Sequence, residues 1–176
     1  KGPYTDMTTD GRNHFTHSHE SAELYKKDET NPYVEAFYTW WETDLHKSLD
    51  ELRITGGEPM MSPNLWRLLD WIETQSDKMN PNMILAINSN LCANDKIMEK
   101  FKNKLKNFKR FELYTSNEAT SQQAEYIRDG LSYIEWYKNM IDFMIHKVPR
   151  QVHNMCTINA LCLESLAEFL ETMVYF

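Results

Sequence analysis

The sequence predicts an α/β chain: about four parallel strands with flanking helices. Three observations carry that expectation. Short apolar runs recur about every 30 to 40 residues, and each is followed by a stretch with helical periodicity. One of the runs, 83–87 (MILAI), is apolar without interruption, as in a strand covered on both faces. Each run also closes in small polar residues, the usual form of a loop leaving a parallel strand.

The elements are read in order. Residues 1–32 form an irregular segment, with Gly2-Pro3, Asp10-Gly11 and Asn31-Pro32 as turn signals. The core is expected over 33–176. A helix opens after Asn31-Pro32 and carries Val34, Phe37, Tyr38, Trp41 and Leu45 at three- and four-residue steps. The first strand is 51–55 (ELRIT), ending in Gly56-Gly57. Ser62-Pro63 starts the next helix as N-cap and first-turn proline, with Leu65, Leu68, Leu69 and Ile72 on one face. Asn80-Pro81-Asn82 breaks the chain before the strand at 83–87. Asn94-Asp95 begins a helix bearing Ile97, Met98, Phe101 and Leu105. The third strand is 111–114 (FELY), then a polar loop and a helix over 132–146, with Asp129-Gly130 as the turn between. The fourth is 152–158 (VHNMCTI), and the last helix covers 164–174.

Strand followed by helix four times implies parallel strands with right-handed crossovers. An open doubly wound sheet and part of a (β/α) barrel both fit, and a full barrel needs about 250 residues. Either way, function is expected at the carboxyl ends of the strands.

Composition narrows the classes. The chain has 176 residues, 41% hydrophobic and 26% charged, the balance of a globular domain. Its 19 Lys+Arg against 26 Asp+Glu give a formal net charge of −7, and the isoelectric point is near 5.4. Such a chain has no electrostatic footprint for nucleic acid or an anionic membrane. Mean hydropathy is −0.62, and no apolar run approaches the roughly 20 residues of a membrane helix. Three cysteines, Cys92, Cys156 and Cys162, make no disulfide framework, which points to a reducing, cytoplasmic setting. Both ends look cut, so the chain reads as an internal piece of a longer protein.

The strand ends read Thr55-Gly56-Gly57-Glu58-Pro59, Asn88-Ser89-Asn90, Thr115-Ser116-Asn117-Glu118 and Thr157-Ile158-Asn159. Four small, polar loops on one face point to a site for a polar ligand. At the first, two glycines leave the backbone uncovered, so its carbonyls and amides can touch the ligand directly; Pro59 then fixes the exit. A tight strand-to-helix turn alone would also use such a pair.

The segment Leu52-Arg53-Ile54-Thr55-Gly56-Gly57-Glu58-Pro59 resembles the GGEP motif of radical S-adenosylmethionine (SAM) enzymes. Ile87-Asn88-Ser89-Asn90 falls where that family often has a Thr-Asn-Gly turn. Ser116-Asn117-Glu118-Ala119, with Tyr126-Ile127-Arg128 beyond, looks like its Ser-Leu-Asp segment and the Ile-Arg that follows. The resemblance covers about residues 50–176 and is best to the subgroup with a C-terminal twitch or SPASM extension, itself not in this chain.

The resemblance implies a partial (β/α) barrel with SAM and a 4Fe–4S cluster as cofactors. Reductive cleavage of SAM would give a 5′-deoxyadenosyl radical that takes hydrogen from a substrate, with a flavodoxin or ferredoxin as electron donor and a peptide or protein as candidate substrate. Mapped onto this chain, Gly56, Gly57, Glu58 and Pro59 lie by the SAM amino group. Ser116 reaches the ribose hydroxyls, with Ser89, Asn90 and Glu118 near. Arg128 is a partner for the SAM carboxylate, and Asn159 faces the adenosine or the substrate. Glu118 stands where the family commonly has Asp. The family's CxxxCxxC is absent, so the cluster ligands are expected upstream of Lys1 and this chain alone is expected to be inactive. The alternative is a noncatalytic α/β barrel module that has lost its cluster.

Other features read more plainly. His14, His17, His19 and Glu20 are metal-ligand types without a standard spacing. Trp40, Trp41, Trp66 and Trp71 lie at helical spacing among leucines and read as core. The basic residues between Lys96 and Arg110 read as a solvated helix face. Neither GxGxxG nor GxxxxGK[ST] occurs.

Overall fold

The computed structural model describes residues 31–106 and 108–174. The irregular segment expected over 1–32, and with it His14, His17 and His19, lies outside the described residues except at its last two positions. The chain divides into two compact units after Leu45.

In the first unit, helix α1 (Pro32–Trp40) starts where the sequence places it. Pro32 sits in the first turn and the Asn31 side chain accepts from the Tyr33 N–H at 2.9 Å. The helix runs into a π-helical turn, Trp41–Leu45. Phe37 meets Tyr38 edge-on at 5.4 Å and stacks on Trp41 at 6.2 Å; Trp40 is left exposed.

The second unit is a four-stranded parallel sheet: β1 (Glu51–Ile54), β2 (Ile84–Asn88), β3 (Phe111–Ser116) and β4 (Gln151–Met155). The strands lie in sequence order, β1-β2-β3-β4, and every pair is parallel. Between and after them come α2 (Pro63–Gln75), α3 (Asp95–Leu105), α4 (Ser121–Ile127), α5 (Tyr133–Ile145) and α6 (Leu166–Val174). A doubly wound sheet reverses its strand order at a switch point, and this one does not. Right-handed crossovers in unbroken order put the helices on one face, as in a segment of a (β/α) barrel.

Side-chain alternation separates the two faces. Leu85 and Ile87 of β2 register with Phe111 and Leu113 of β3, and all four are fully buried. Phe101 of α3 meets Phe111 edge-on at 6.0 Å and Phe143 of α5 at the same distance. The Trp136 Nε1–H of α5 donates to Thr115 Oγ1 at 2.7 Å. These residues face the helices. The next residues along each strand, Glu51, Arg53, Ala86, Asn88, Glu112, Tyr114, Ser116, His153 and Met155, share the opposite face.

At the amino end of the sheet, Asn80 ties two strand starts together. Its N–H donates to His46 O at 2.8 Å and its Nδ2 to Leu49 O at 3.1 Å, while the Ile84 N–H donates to Asp50 O at 2.8 Å. Asn94 and Ser132 cap α3 and α5 through the N–H groups of Ile97 and Glu135. Ser62 precedes Pro63 as expected, but its side chain makes no cap bond.

Besides Trp40, read as core but exposed, two expectations need correction. The polar loop after β3 contains α4, which opens on Ser121 in the left-handed region at φ 49°. Seven residues without a strong apolar period give little helical signal. The basic run is not simply a solvated face: Lys102 pairs with Asp142, Lys104 with Asp70 at 2.7 Å and with Glu73, and Lys100 lies 4.1 Å over the Trp66 ring. Helix-to-helix charge pairing absorbs part of it. No helix among the described residues is long and apolar enough to cross a membrane.

Phe101 is wholly buried at the junction of β3 and α5. Phe101→Ala is expected to lower stability by about 3–5 kcal/mol, read as a lower urea midpoint with an unchanged slope.

Candidate functional site

Parallel strands bring all their carboxyl-end loops to one edge of the sheet, where hydrogen bonds between loops build the site. Gly56 and Gly57 follow β1 with φ of 87° and 49°, the left-handed region where a side chain strains the backbone. A Cβ at either would meet nothing within 4 Å, so backbone conformation rather than crowding calls for glycine. Both glycines are exposed, and their peptide groups are open to a ligand.

Glu58 is the joint between the first two loops. Its Oε1 accepts from the Ser89 hydroxyl at 3.0 Å and from the Met60 N–H at 3.2 Å; its Oε2 accepts from the Asn90 N–H at 2.8 Å. Pro59 is buried and opens the helical turn that Glu58 caps. Ser89 is buried as well: its hydroxyl accepts from the Leu91 N–H at 2.9 Å, and its own N–H donates to Tyr114 O at 2.8 Å. Leu91 sits at φ 55°, a conformation leucine rarely adopts, and is held by full burial and by the Asn139 Nδ2–H, which donates to its carbonyl at 2.8 Å.

The third loop follows β3. Ser116 is that strand's last residue, half-buried, and its hydroxyl makes no hydrogen bond among the described residues. Glu118 is almost wholly buried. Arg128, just past α4, donates to its Oε2 from Nη2 and, at 3.0 Å, from Nε. The Asn154 Nδ2–H of β4 donates to Asn117 O at 2.8 Å and joins the third loop to the fourth strand.

Of the residues singled out by sequence, Gly56, Gly57, Glu58, Ser89 and Asn90 therefore come together, and Glu118 pairs with Arg128. Asn159 is taken up within its own loop. Its Oδ1 accepts from the Leu161 N–H at 2.8 Å and its Nδ2 donates to Thr157 O at 3.1 Å. The side chains of Glu58, Ser89 and Glu118 are engaged inside the protein. What remains open to a ligand is the Gly56–Gly57 backbone, the exposed Asn90 Nδ2 and the Ser116 hydroxyl; the Asn90 Oδ1 accepts from the Cys92 N–H at 3.0 Å.

The cysteines build no cluster seat. Cys92 is half-buried, and its Sγ donates to Asn90 O at 3.2 Å; burial pushes its thiol up. Cys156 is exposed, yet its thiol is also pushed up, by desolvation first and Glu118 second. Cys162 is buried and bonded to Asn159. Among the described residues no three His, Cys, Asp or Glu side chains gather to hold a metal.

Sequence reading missed a second group on the open face: Glu51, Arg53, Glu112, Tyr114 and His153. The signal was present in 111–116 (FELYTS), where Glu112, Tyr114 and Ser116 alternate with Phe111, Leu113 and Thr115.

No protein-family model, curated protein or solved structure matches the chain.

Three outcomes follow from these contacts. Arg128→Leu strands the buried Glu118 carboxylate and is expected to cost about 3–5 kcal/mol in chemical denaturation. Glu58→Ala removes a charged acceptor from three donors; a loss of about 1.5–3 kcal/mol is expected, with faster hydrogen exchange at the Asn90 amide. With both thiols raised, alkylation of Cys92 and Cys156 by iodoacetamide should be slow at pH 8. It should rise with pH through pH 8 and not level off below pH 9; a plateau below pH 8 would contradict the assignment.

Proposed function

We propose that this chain is the SAM-binding part of a radical SAM enzyme, a (β/α) barrel segment whose cofactor lies across the carboxyl ends of β1, β2 and β3. The observation that carries the reading is the Gly56-Gly57-Glu58-Pro59 turn. Two exposed left-handed glycines end β1, and Glu58 locks them to the Ser89-Asn90 loop. The glycine carbonyls suit a ligand ammonium, and the Ser116 hydroxyl suits a ribose hydroxyl.

The residues fit SAM in part. Glu58 and Ser89 act as struts that hold the turn rather than as ligands. Arg128 has Nε and Nη2 on Glu118, so its part toward the cofactor carboxylate falls to Nη1. The 4Fe–4S cluster finds no ligand set among the described residues, and the reading places its thiolates N-terminal to Lys1. When bound at such a cluster, SAM supplies one-electron hydrogen abstraction; the protein's share is to orient the cofactor and exclude water. The substrate falls to the open face of the sheet.

The test is made on the gene product in which this chain stands, purified without oxygen and reconstituted with iron and sulfide. A reduced-cluster electron paramagnetic resonance signal that changes on adding SAM is expected. Ser116→Ala should weaken SAM binding by about 2- to 13-fold, the loss of one hydrogen bond. A cluster signal indifferent to SAM would sink the proposal, and an intact product that assembles no cluster would favour a noncatalytic module.

A further inference from the structure

The face of the sheet turned away from the helices is built around Tyr114. Arg53 reaches from β1 across Ala86, whose methyl group leaves it room, and sets its guanidinium carbon 4.3 Å from the centre of the Tyr114 ring. From β4, the His153 ring stacks on Tyr114 at 4.4 Å and 18°. Arg53 Nε and Nη2 donate to Glu51 Oε1 at 3.0 and 2.7 Å, and Nη2 also to Tyr114 Oη at 3.2 Å. The Tyr114 hydroxyl donates in turn to Glu112 Oε2 at 3.3 Å. The Tyr114 bond first, and Glu51 second, hold the Arg53 proton more firmly than usual.

With His153 uncharged, the charges on this face do not balance: Glu51 and Glu112 stand against Arg53. Glu51 has Arg53. Glu112 is buried, yet among the described residues it has only the long Tyr114 bond and His153 Nε2 at 3.6 Å, beyond hydrogen-bond reach. His153 Nε2 is itself buried without a hydrogen bond, and so is the oxygen of Asn88, the β2 neighbour of Tyr114. A buried carboxylate whose one ion-pair partner is a histidine at 3.6 Å, charged only when protonated, is weakly compensated, and a buried acceptor without a donor on the same face adds to the cost. What completes the set is a positively charged N–H donor.

We infer that the open face of the sheet binds a protonated alkylamine, with Glu112 as its counter-ion and the Asn88 oxygen as a second acceptor. Glu112 lies four residues, about 13 Å, along β3 from Ser116, below the carboxyl-end loops. An amine held there extends its chain up the face toward the Gly56–Gly57 turn. Arg53, fixed by Glu51 and Tyr114, repels a second cation and so restricts the amine to the Glu112 side. The inference rests on charge and geometry and uses no cofactor, so its failure leaves SAM binding at the turns untouched.

The test is a nuclear magnetic resonance titration of this chain with N-acetyl-lysine methylamide and its uncharged isostere, N-acetyl-norleucine methylamide. Saturable shifts at Tyr114 and His153 are expected with the lysine probe and not with norleucine. Glycine methylamide serves as an α-ammonium probe; saturable binding of either amine supports the site and tells which kind of ammonium it prefers. Glu112→Gln should raise the lysine-probe Kd about tenfold or more, whereas Arg53→Gln should lower it about threefold by removing the competing charge. That opposite sign is not expected of a merely structural pair, and it keeps the test open should Glu112→Gln fail to fold. Equal shifts with norleucine, no saturable shift with either amine, an unchanged Kd in folded Glu112→Gln, or weaker binding in folded Arg53→Gln would overturn the inference.

Discussion

The second unit depends on one constraint: four parallel strands paired in the order in which they occur along the chain. Right-handed crossovers then leave the helices no choice of side. One face of the sheet is sealed by Leu85, Ile87, Phe111 and Leu113 beneath α3 and α5, while the other is free to carry charge. Parallel pairing also sends every carboxyl-end loop to the same edge. Topology thus singles out that edge as the place for a ligand before any side chain is considered.

Within the edge, carboxylates act first as struts. Glu58 ties the loop after β1 to the loop after β2 through the Ser89 hydroxyl and the Asn90 amide. Glu118 is neutralised by Arg128, which holds the loop after β3 against the end of α4. These bonds fix the backbone and leave the exposed Gly56 and Gly57 peptides as the open chemistry of the first loop. The strained Leu91 belongs to the same economy of rigid loops: its left-handed backbone persists because burial and Asn139 hold it from both sides. An edge organised in this way suits a ligand recognised mainly through backbone groups.

The open face works differently. There, side chains from β1, β3 and β4 form a stack of guanidinium, phenol and imidazole over a floor that includes Ala86. The stack is ordered, and Glu112 beside it has only a long hydrogen bond from Tyr114 and the His153 ring at 3.6 Å. Groups ordered in this way on folding need little rearrangement to meet a further donor.

By itself the sequence determined the β/α repeat, the strand positions to within a few residues, the cap at Asn31, the helix starts at Asn94-Asp95 and Ser132, and the glycine turn after β1. Those features are written in neighbours along the chain: periodicity, N-cap side chains and glycine act over a few residues. It did not disclose α4, whose seven residues carry little apolar period, nor the pairing of Lys102 and Lys104 with acids on other helices. Only the tertiary structure decided that Glu58 and Ser89 serve each other, that Arg128 serves Glu118, and that Arg53 lies against Tyr114. Each of these contacts joins residues 10 to 61 positions apart, brought together by strand register and crossover. A linear pattern can say that a residue is polar and at a strand end, but the partner that satisfies it is chosen by the sheet.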